Sequence, residues 1–206
     1  MGRVLKKMNL PKRVLILCEG ESEQIYLKGL KKDMYFNNQL QAVEIIMYQP
    51  NDFSPLGIVK EAKKRMKEAR QDKYSFNSVW VVFDKDDHKK IPEAFNLANS
   101  NNPPIEIAFS NICFEYWILL HFEKTSRFFK DSYEIIEYIE KRYSFDYSKT
   151  MNIYEKLKTR ICIALKNTDW LLTQNAFDLD NNLKPYDLKS FTDFNKLYHF
   201  LNHLRN

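Results

Sequence analysis

The sequence predicts an α/β protein: a mainly parallel sheet of about four strands with helices on both faces, followed by a helical C-terminal part. Three observations carry this expectation. Short apolar runs alternate with helix-periodic stretches up to about residue 120, those runs are continuous rather than alternating, and no strand stands out after Phe122. Strands separated by helical stretches at this spacing indicate βαβ units. Continuous apolar runs suit strands covered on both faces.

The elements follow in order. "RVLILC" (13–18) reads as a buried strand, and "ESEQIYLKGLKKDM" places Ile25, Leu27, Leu30 and Met34 near helical spacing. "AVEIIMYQP" (42–50) is strand-like and closes at Pro50. In "PLGIVKEAKKRMKEAR" (55–70), Leu56, Val59, Ala62, Met66 and Ala69 make a narrow apolar stripe. Pro55 after Ser54 suits a helix start. "SVWVVF" is the third strand, "PEAFNLANSNN" a short helix, "IEIAFS" (105–110) the fourth strand, and "FEYWILLHF" (114–122) a further helix. Beyond it, "DSYEIIEYIEKRY", "MNIYEKLKTRICIALKNTDWLL" and "FTDFNKLYHFLNHL" read as helices, with 174–190 as a long loop. The expected division is an α/β core over 1–123 and a helical part over 124–206 packed on it.

At 206 residues the chain buries roughly 70% of its unfolded surface on folding, enough for a core without disulfides. Cys18, Cys113 and Cys162 are odd in number and form no CxxC pair, which favours a reducing cytoplasm over a zinc knuckle or a disulfide framework. The apolar run before Glu19 is too short for a signal peptide or a membrane span. Lys6 stands where a myristoylation signal needs Ser or Thr. The formal charge of +5 permits a phosphate-rich partner without identifying one.

The chemistry concentrates where strands end. In open parallel sheets, ligand sites gather at the carboxyl ends of strands. Three acidic features fall there: "CEGESE" after the first strand, "DKDD" after the third, and Glu115 after the fourth. Hard divalent cations such as Mg²⁺ take oxygen ligands, often one or two carboxylates with retained waters. Glu19, Asp84 and Asp86 form such a set, and an extended continuation of the strand would aim Asp84 and Asp86 the same way.

Plainer readings stand beside this one. Asp-rich turns cap helices, and Asp87 fits a cap. Lys85, Lys89, Lys90 and His88 could neutralise a purely structural acidic cluster. Ser22 could cap the first helix, which would leave Glu23 as an ordinary first-turn acid. Glu115 misses the capping-box register from Ser110 or Asn111. His121 shares a helical face with Phe114 and Trp117, so packing explains it as well as catalysis does. Tyr133, Tyr138, Tyr143, Tyr147 and Tyr154 could stack bases, although helix packing accounts for their spacing.

Taken together, "VLILCEGESEQIYLKGL", "VWVVFDKDDH" and "IAFSNICFEYWILLHF" resemble the RloB-like family, whose members carry a Toprim domain, a Rossmann-like fold related to that of OLD-type nucleases. Ile112 stands where the family pattern has Pro, and "KSFTDFNKLYHFLNHL" resembles the family's closing helix less specifically. The resemblance implies Mg²⁺- or Mn²⁺-assisted phosphodiester chemistry. It implies catalytic and metal-holding roles for Glu19, Asp84 and Asp86, with Glu23 matching a second glutamate of the OLD-like pattern and Glu115 assisting. Lys28, Lys85, His88 and His121 are the expected substrate-binding groups. It further implies a nuclease effector of prokaryotic phage defence acting on DNA or RNA, an ATPase partner subunit, and compatibility with a homo-oligomer.

Other functions remain open at this level. A non-catalytic regulatory subunit could keep the same pocket to sense a ligand. A Mn²⁺-dependent nucleotide-sugar transferase also places Asp-x-Asp after a buried strand, but the Glu-Gly after strand one argues against it. A haloacid-dehalogenase-type phosphatase carries its Asp-x-Asp after the first strand, not the third. A topoisomerase would need a tyrosine on a separate module.

Overall fold

The computed structural model describes residues 12–36, 43–48 and 50–204. The readings of the N-terminal segment and of the second strand's ends at 42 and 49 lie outside the described residues. The chain runs β1 (Lys12–Cys18), α1 (Glu21–Phe36), β2 (Val43–Tyr48), α2 (Pro55–Gln71), β3 (Ser78–Asp84), α3 (Ile91–Asn99), β4 (Glu106–Asn111) and α4 (Glu115–Leu120). There follow α5 (Ser132–Tyr143), α6 (Ile153–Leu157), α7 (Ile161–Asp180), β5 (Phe191–Thr192) and α8 (Phe194–His203). The strands form a five-stranded sheet in the order β2-β1-β3-β4-β5. The first four pair in parallel, and β5 pairs antiparallel to β4. This is the expected α/β architecture, consistent with a Rossmann-like fold.

The continuous apolar strands are covered on both faces, as their sequence requires. Side chains alternate across a strand. Val14, Ile16 and Cys18 of β1 and Trp80 and Val82 of β3 therefore join one cluster with α1, α4 and the C-terminal helices. Leu15, Leu17, Val79, Val81 and Phe83 join the other, under α2 and α3. Tyr26 of α1 anchors the first cluster, packing its ring edge-on against Phe114, Trp117, Tyr154 and Phe194. Helix α2 begins as its sequence predicts. Ser54 accepts a hydrogen bond from the Gly57 N–H at 3.1 Å, and Pro55 occupies the first turn.

The C-terminal part departs from expectation in three places. A strand exists where none was anticipated: β5 is two residues long, too short for any periodicity, and is defined by the β4 edge it pairs with. The Ser110 and Thr192 hydroxyls lie 3.0 Å apart, and Asp193 Oδ1 accepts from the Phe109 N–H at 2.8 Å. The stretch 151–172 is interrupted by a 3₁₀ turn at Lys158–Arg160. Helix α7 continues to Asp180, into the segment expected as loop, because Ile161, Ala164, Thr168 and Leu171 bury its first turns and the helix propagates from them. Ser22 does not cap α1 but lies within it. Ser110 and Asn111 end β4 and do not open α4.

His121, expected among the substrate-binding groups, belongs to the core. It has no exposed surface. Its Nδ1 donates to the Trp117 carbonyl at 2.9 Å, and the Tyr26 hydroxyl lies 3.4 Å from Nε2. The ring stands edge-on to Trp117 and Tyr26. Burial pushes its pKa down to about 4, against the opposing pull of hydrogen bonds with Trp117 and Ile118. The unfolded chain titrates near ~6.5. The stabilisation that comes from keeping this ring neutral is therefore present above ~6.5 and lost as the pH falls through about 4. The full loss is at most about 3 kcal/mol. Denaturant unfolding at pH 7 and pH 4.5 should show the native chain losing more stability than His121→Gln.

Candidate active site

The strand order reverses direction at β1 and β3: β2 lies outside β1, and β4 lies outside β3. Such a switch point leaves a crevice beyond the strand carboxyl ends. Glu19 stands there. Its N–H donates to the Val82 carbonyl at 2.9 Å, extending the β1–β3 ladder by one residue. Its Oε2 accepts from the Asp84 N–H at 3.0 Å, and its Oε1 meets His88 Nε2 at 2.5 Å. Asp84 ends β3, and its alternation with Trp80 and Val82 places its side chain on the side of α1 and α4. Its Oδ2 accepts from the Phe114 N–H at 2.8 Å, just ahead of α4.

After Asp84 the chain does not continue extended, so the expected shared direction of Asp84 and Asp86 is not what brings them together. Lys85 N–H donates to the Ser110 carbonyl at 2.9 Å and Asp86 N–H to the Ile112 carbonyl at 3.1 Å. Asp86 adopts φ of 33°, a left-handed conformation that Asp tolerates better than most residues. The turn sets Asp86 on the exposed rim and returns His88 to Glu19. Asp87 is exposed and caps nothing, because α3 starts after Lys90, which makes no side-chain cap.

Two more carboxylates enter from helices. Glu23 lies in the first turn of α1, buried, with its carboxylate over Gly20. A Cβ on Gly20 would collide with Glu23 Oε2, so glycine is what lets this acid fold back against the loop. Glu115 opens α4 and is buried. Its Oε1 accepts from the Tyr147 hydroxyl at 2.9 Å, and Lys149 Nζ lies 3.9 Å away. Tyr147 also reaches Ser22 Oγ at 3.3 Å. These five acids line one cleft of about 320 Å³, together with a sixth, Glu21, and with Ser22, Cys113, Ser132 and Lys149.

The electrostatics follow from burying like charges together. Asp84 is at the centre. Burial raises its pKa well above the usual carboxylate range, and Glu23, Glu19, Glu115 and Asp86 raise it further. Burial pushes Glu23 up to about 8, with Glu115 and Glu19 adding and Lys149 opposing. Glu19 is raised by burial and held back by the Asp84 N–H and His88. Asp86 is raised by burial and lowered by Lys149. Uncompensated carboxylates at this density favour a bound cation or bound protons.

The donors suit a hard cation. They are carboxylate oxygens, and the one thiol in the cleft, Cys113, is kept protonated by burial and by Glu115 and Asp84. Among the described residues, no three His, Cys, Asp or Glu side chains stand as a ready-made metal-ligand set. The fit is to a partly hydrated cation on one or two carboxylates, the usual mode for Mg²⁺.

Glu19, Glu23, Asp84, Asp86 and Glu115 are thus brought together, with His88 bonded to Glu19. Lys28 and Lys85 do not line the cleft; Lys28 donates to Gln24 Oε1 at 2.8 Å on the exposed face of α1. Tyr133 is exposed beside a neighbouring hollow shared with Asp86 and His88. Tyr138 and Tyr143 bond Glu123, and Tyr154 packs in the core. The sequence reading missed the roles of Tyr147, Lys149 and Ser132. They come from a loop and a helix far along the chain, and no local pattern in "SFDYSKT" marks them.

A family model described as RloB-like protein matches residues 14–201, most of the chain. No curated protein and no solved structure matches it.

Two outcomes test the site's construction. Tyr147→Phe removes a donor from the buried Glu115 carboxylate and should cost about 1–3 kcal/mol in urea denaturation. Glu23 carries a raised folded-state pKa, so the stability it contributes is complete at low pH and lost as the pH rises through about 8. Without added metal, the melting temperature should fall between pH 6 and pH 9, and Glu23→Gln should flatten that fall.

Proposed function

The chain belongs to the RloB-like family, and from that premise we propose that it is a divalent-metal-dependent nuclease of the Toprim type, hydrolysing phosphodiester bonds in DNA or RNA. The observation that carries this reading is the convergence of five carboxylates from two strand ends and two helices on one switch-point cleft. Glu19 and Asp84 would hold Mg²⁺ or Mn²⁺ with Asp86 at the rim, and Glu23 and Glu115 would add negative charge behind them. The bound cation would polarise a phosphoryl oxygen and lower the pKa of an attacking water. His88 orients Glu19 through Oε1. The Phe114 N–H fixes Asp84 through Oδ2 and leaves Oδ1 outside that bond. The resemblance extends the proposal to an effector of prokaryotic phage defence, acting in the cytoplasm beside an ATPase partner. No described helix is long and apolar enough to cross a membrane.

A second reading, a non-catalytic subunit that binds nucleic acid or the ATPase, is favoured by one observation. Both oxygens of Glu19 already have protein partners, Asp84 N–H and His88.

Labelled DNA and RNA incubated with Mg²⁺, Mn²⁺ or EDTA separate the two. The nuclease reading expects cleavage with either metal and none in EDTA. Asp84→Asn should abolish cleavage while its carbonyl still accepts from Phe114; alanine is the poorer choice because it strands that buried N–H. His88→Gln should lower the rate about 10- to 100-fold through the loss of Glu19 orientation. Full activity in Asp84→Asn, or binding without cleavage under every condition, rejects the nuclease.

A further inference from the structure

Helix α2 carries a cationic ridge that the acidic cleft does not use. Lys60, Lys63, Lys64, Lys67 and Arg70 are all exposed. At 3.6 residues per turn they fall within about 120° of one another and extend for about 15 Å. Helix α2 holds six cations against Glu61 and Glu68, a net of four positive charges in a chain whose total is +5. Within the ridge, Lys64 pairs with Glu68 at 4.0 Å, while Glu61 is turned to Arg65 on another side. Like charges at i, i+3 and i, i+4 repel and destabilise a helix. A solvated helix face ordinarily mixes signs; here Glu68, at the edge of the ridge, stands against five cations.

The ridge also lines a groove, and a second hollow leads from it towards the acidic cleft. Lys60, Lys63, Lys64, Lys67 and Arg70 line a groove of about 700 Å³ together with Asn101. Lys60 lines a second hollow of about 200 Å³, shared with Lys89, Lys90 and His88. His88 is bonded to Glu19, which lines the acidic cleft, and shares a further hollow with Asp86 of that cleft. The two hollows therefore lead from the α2 ridge across Lys89 and Lys90 to His88, the partner of Glu19.

We propose that this track binds the phosphate backbone of a nucleic acid and leads it to the acidic cleft. A row of lysines holds phosphates as point charges without reading bases, so the expected binding is sequence-independent. An anionic membrane offers similar charge, but a surface helix that enters a bilayer interface needs a free apolar face. In α2 that face, Ile58, Val59, Ala62 and Met66, is buried on the sheet. The direction of the track rests on the nuclease reading above; the phosphate contact does not.

The test measures binding of labelled single- and double-stranded DNA and single-stranded RNA in EDTA, where no turnover occurs, over a range of salt. The variant is Lys63→Gln/Lys64→Gln/Lys67→Gln, which changes only exposed side chains to another good helix former. The wild type should bind at low salt, and the variant should bind about tenfold more weakly or worse. The slope of log K against log salt should shrink by about 2–3, as three phosphate contacts require. Equal affinity and slope in the two proteins, no oligonucleotide binding by the wild type, or wild-type binding to phosphatidylserine vesicles alone would each overturn the proposal. If the variant loses binding but no preparation cleaves with Mg²⁺ or Mn²⁺, the track stands and the nuclease reading falls. If the variant cleaves and binds undiminished, the nuclease stands and the track falls.

Discussion

The carboxyl end of the sheet hangs on Asp84. Its N–H donates to the Glu19 side chain and its Oδ2 accepts from the Phe114 N–H, so one residue ties together the ends of β1 and β3 and the approach to α4. The remaining acids arrive through what those bonds position. Glu115 follows Phe114 by one residue, Glu23 follows Glu19 by one helical turn, and Asp86 follows Asp84 across a left-handed turn. The hydrogen bonds offset only part of the burial of the carboxylates, and the rest appears as raised pKa values. A chain selected for stability alone would dilute that charge, and its concentration in a cleft is what supports the proposed site.

The two faces of the sheet divide the labour. The face beneath α1, α4 and the C-terminal helices carries the aromatic cluster around Tyr26 and the walls of the acidic cleft. The opposite face carries α2 and α3, whose apolar sides are spent on the sheet, and the outer side of α2 presents lysines. Negative charge is thereby held inside a crevice and positive charge outside it, with His88 at the border. The C-terminal part closes the design: β5 and Asp193 clasp β4, and the loop carrying Tyr147 and Lys149 reaches back to Glu115.

Much of this was legible beforehand because it depends on short-range patterns. Four strands and the helices between them follow from apolar runs and helical periodicity. The start of α2 follows from Ser54 and Pro55, and the acids at strand ends follow from their position in βαβ units. Other features were not legible. A two-residue strand has no period, and α7 overran an apparently polar loop because its buried first turns support propagation. His121 offered equal evidence for packing and catalysis until its ring proved to lie wholly within the core.

The sequence by itself determined the α/β class, the order of the parallel strands' elements, and which acids stand at strand ends, because those rest on neighbours within a few residues. The tertiary structure alone decided which of the acids share a cleft, that Tyr147 and Lys149 attend them, and that Lys60 of α2 shares a hollow with His88, the partner of Glu19. Those outcomes depend on contacts between residues far apart in the chain, such as Tyr147 with Glu115 and His88 with Glu19, and on the sheet order that places β1 beside β3. No local periodicity encodes such distances; they exist only once the strands have paired.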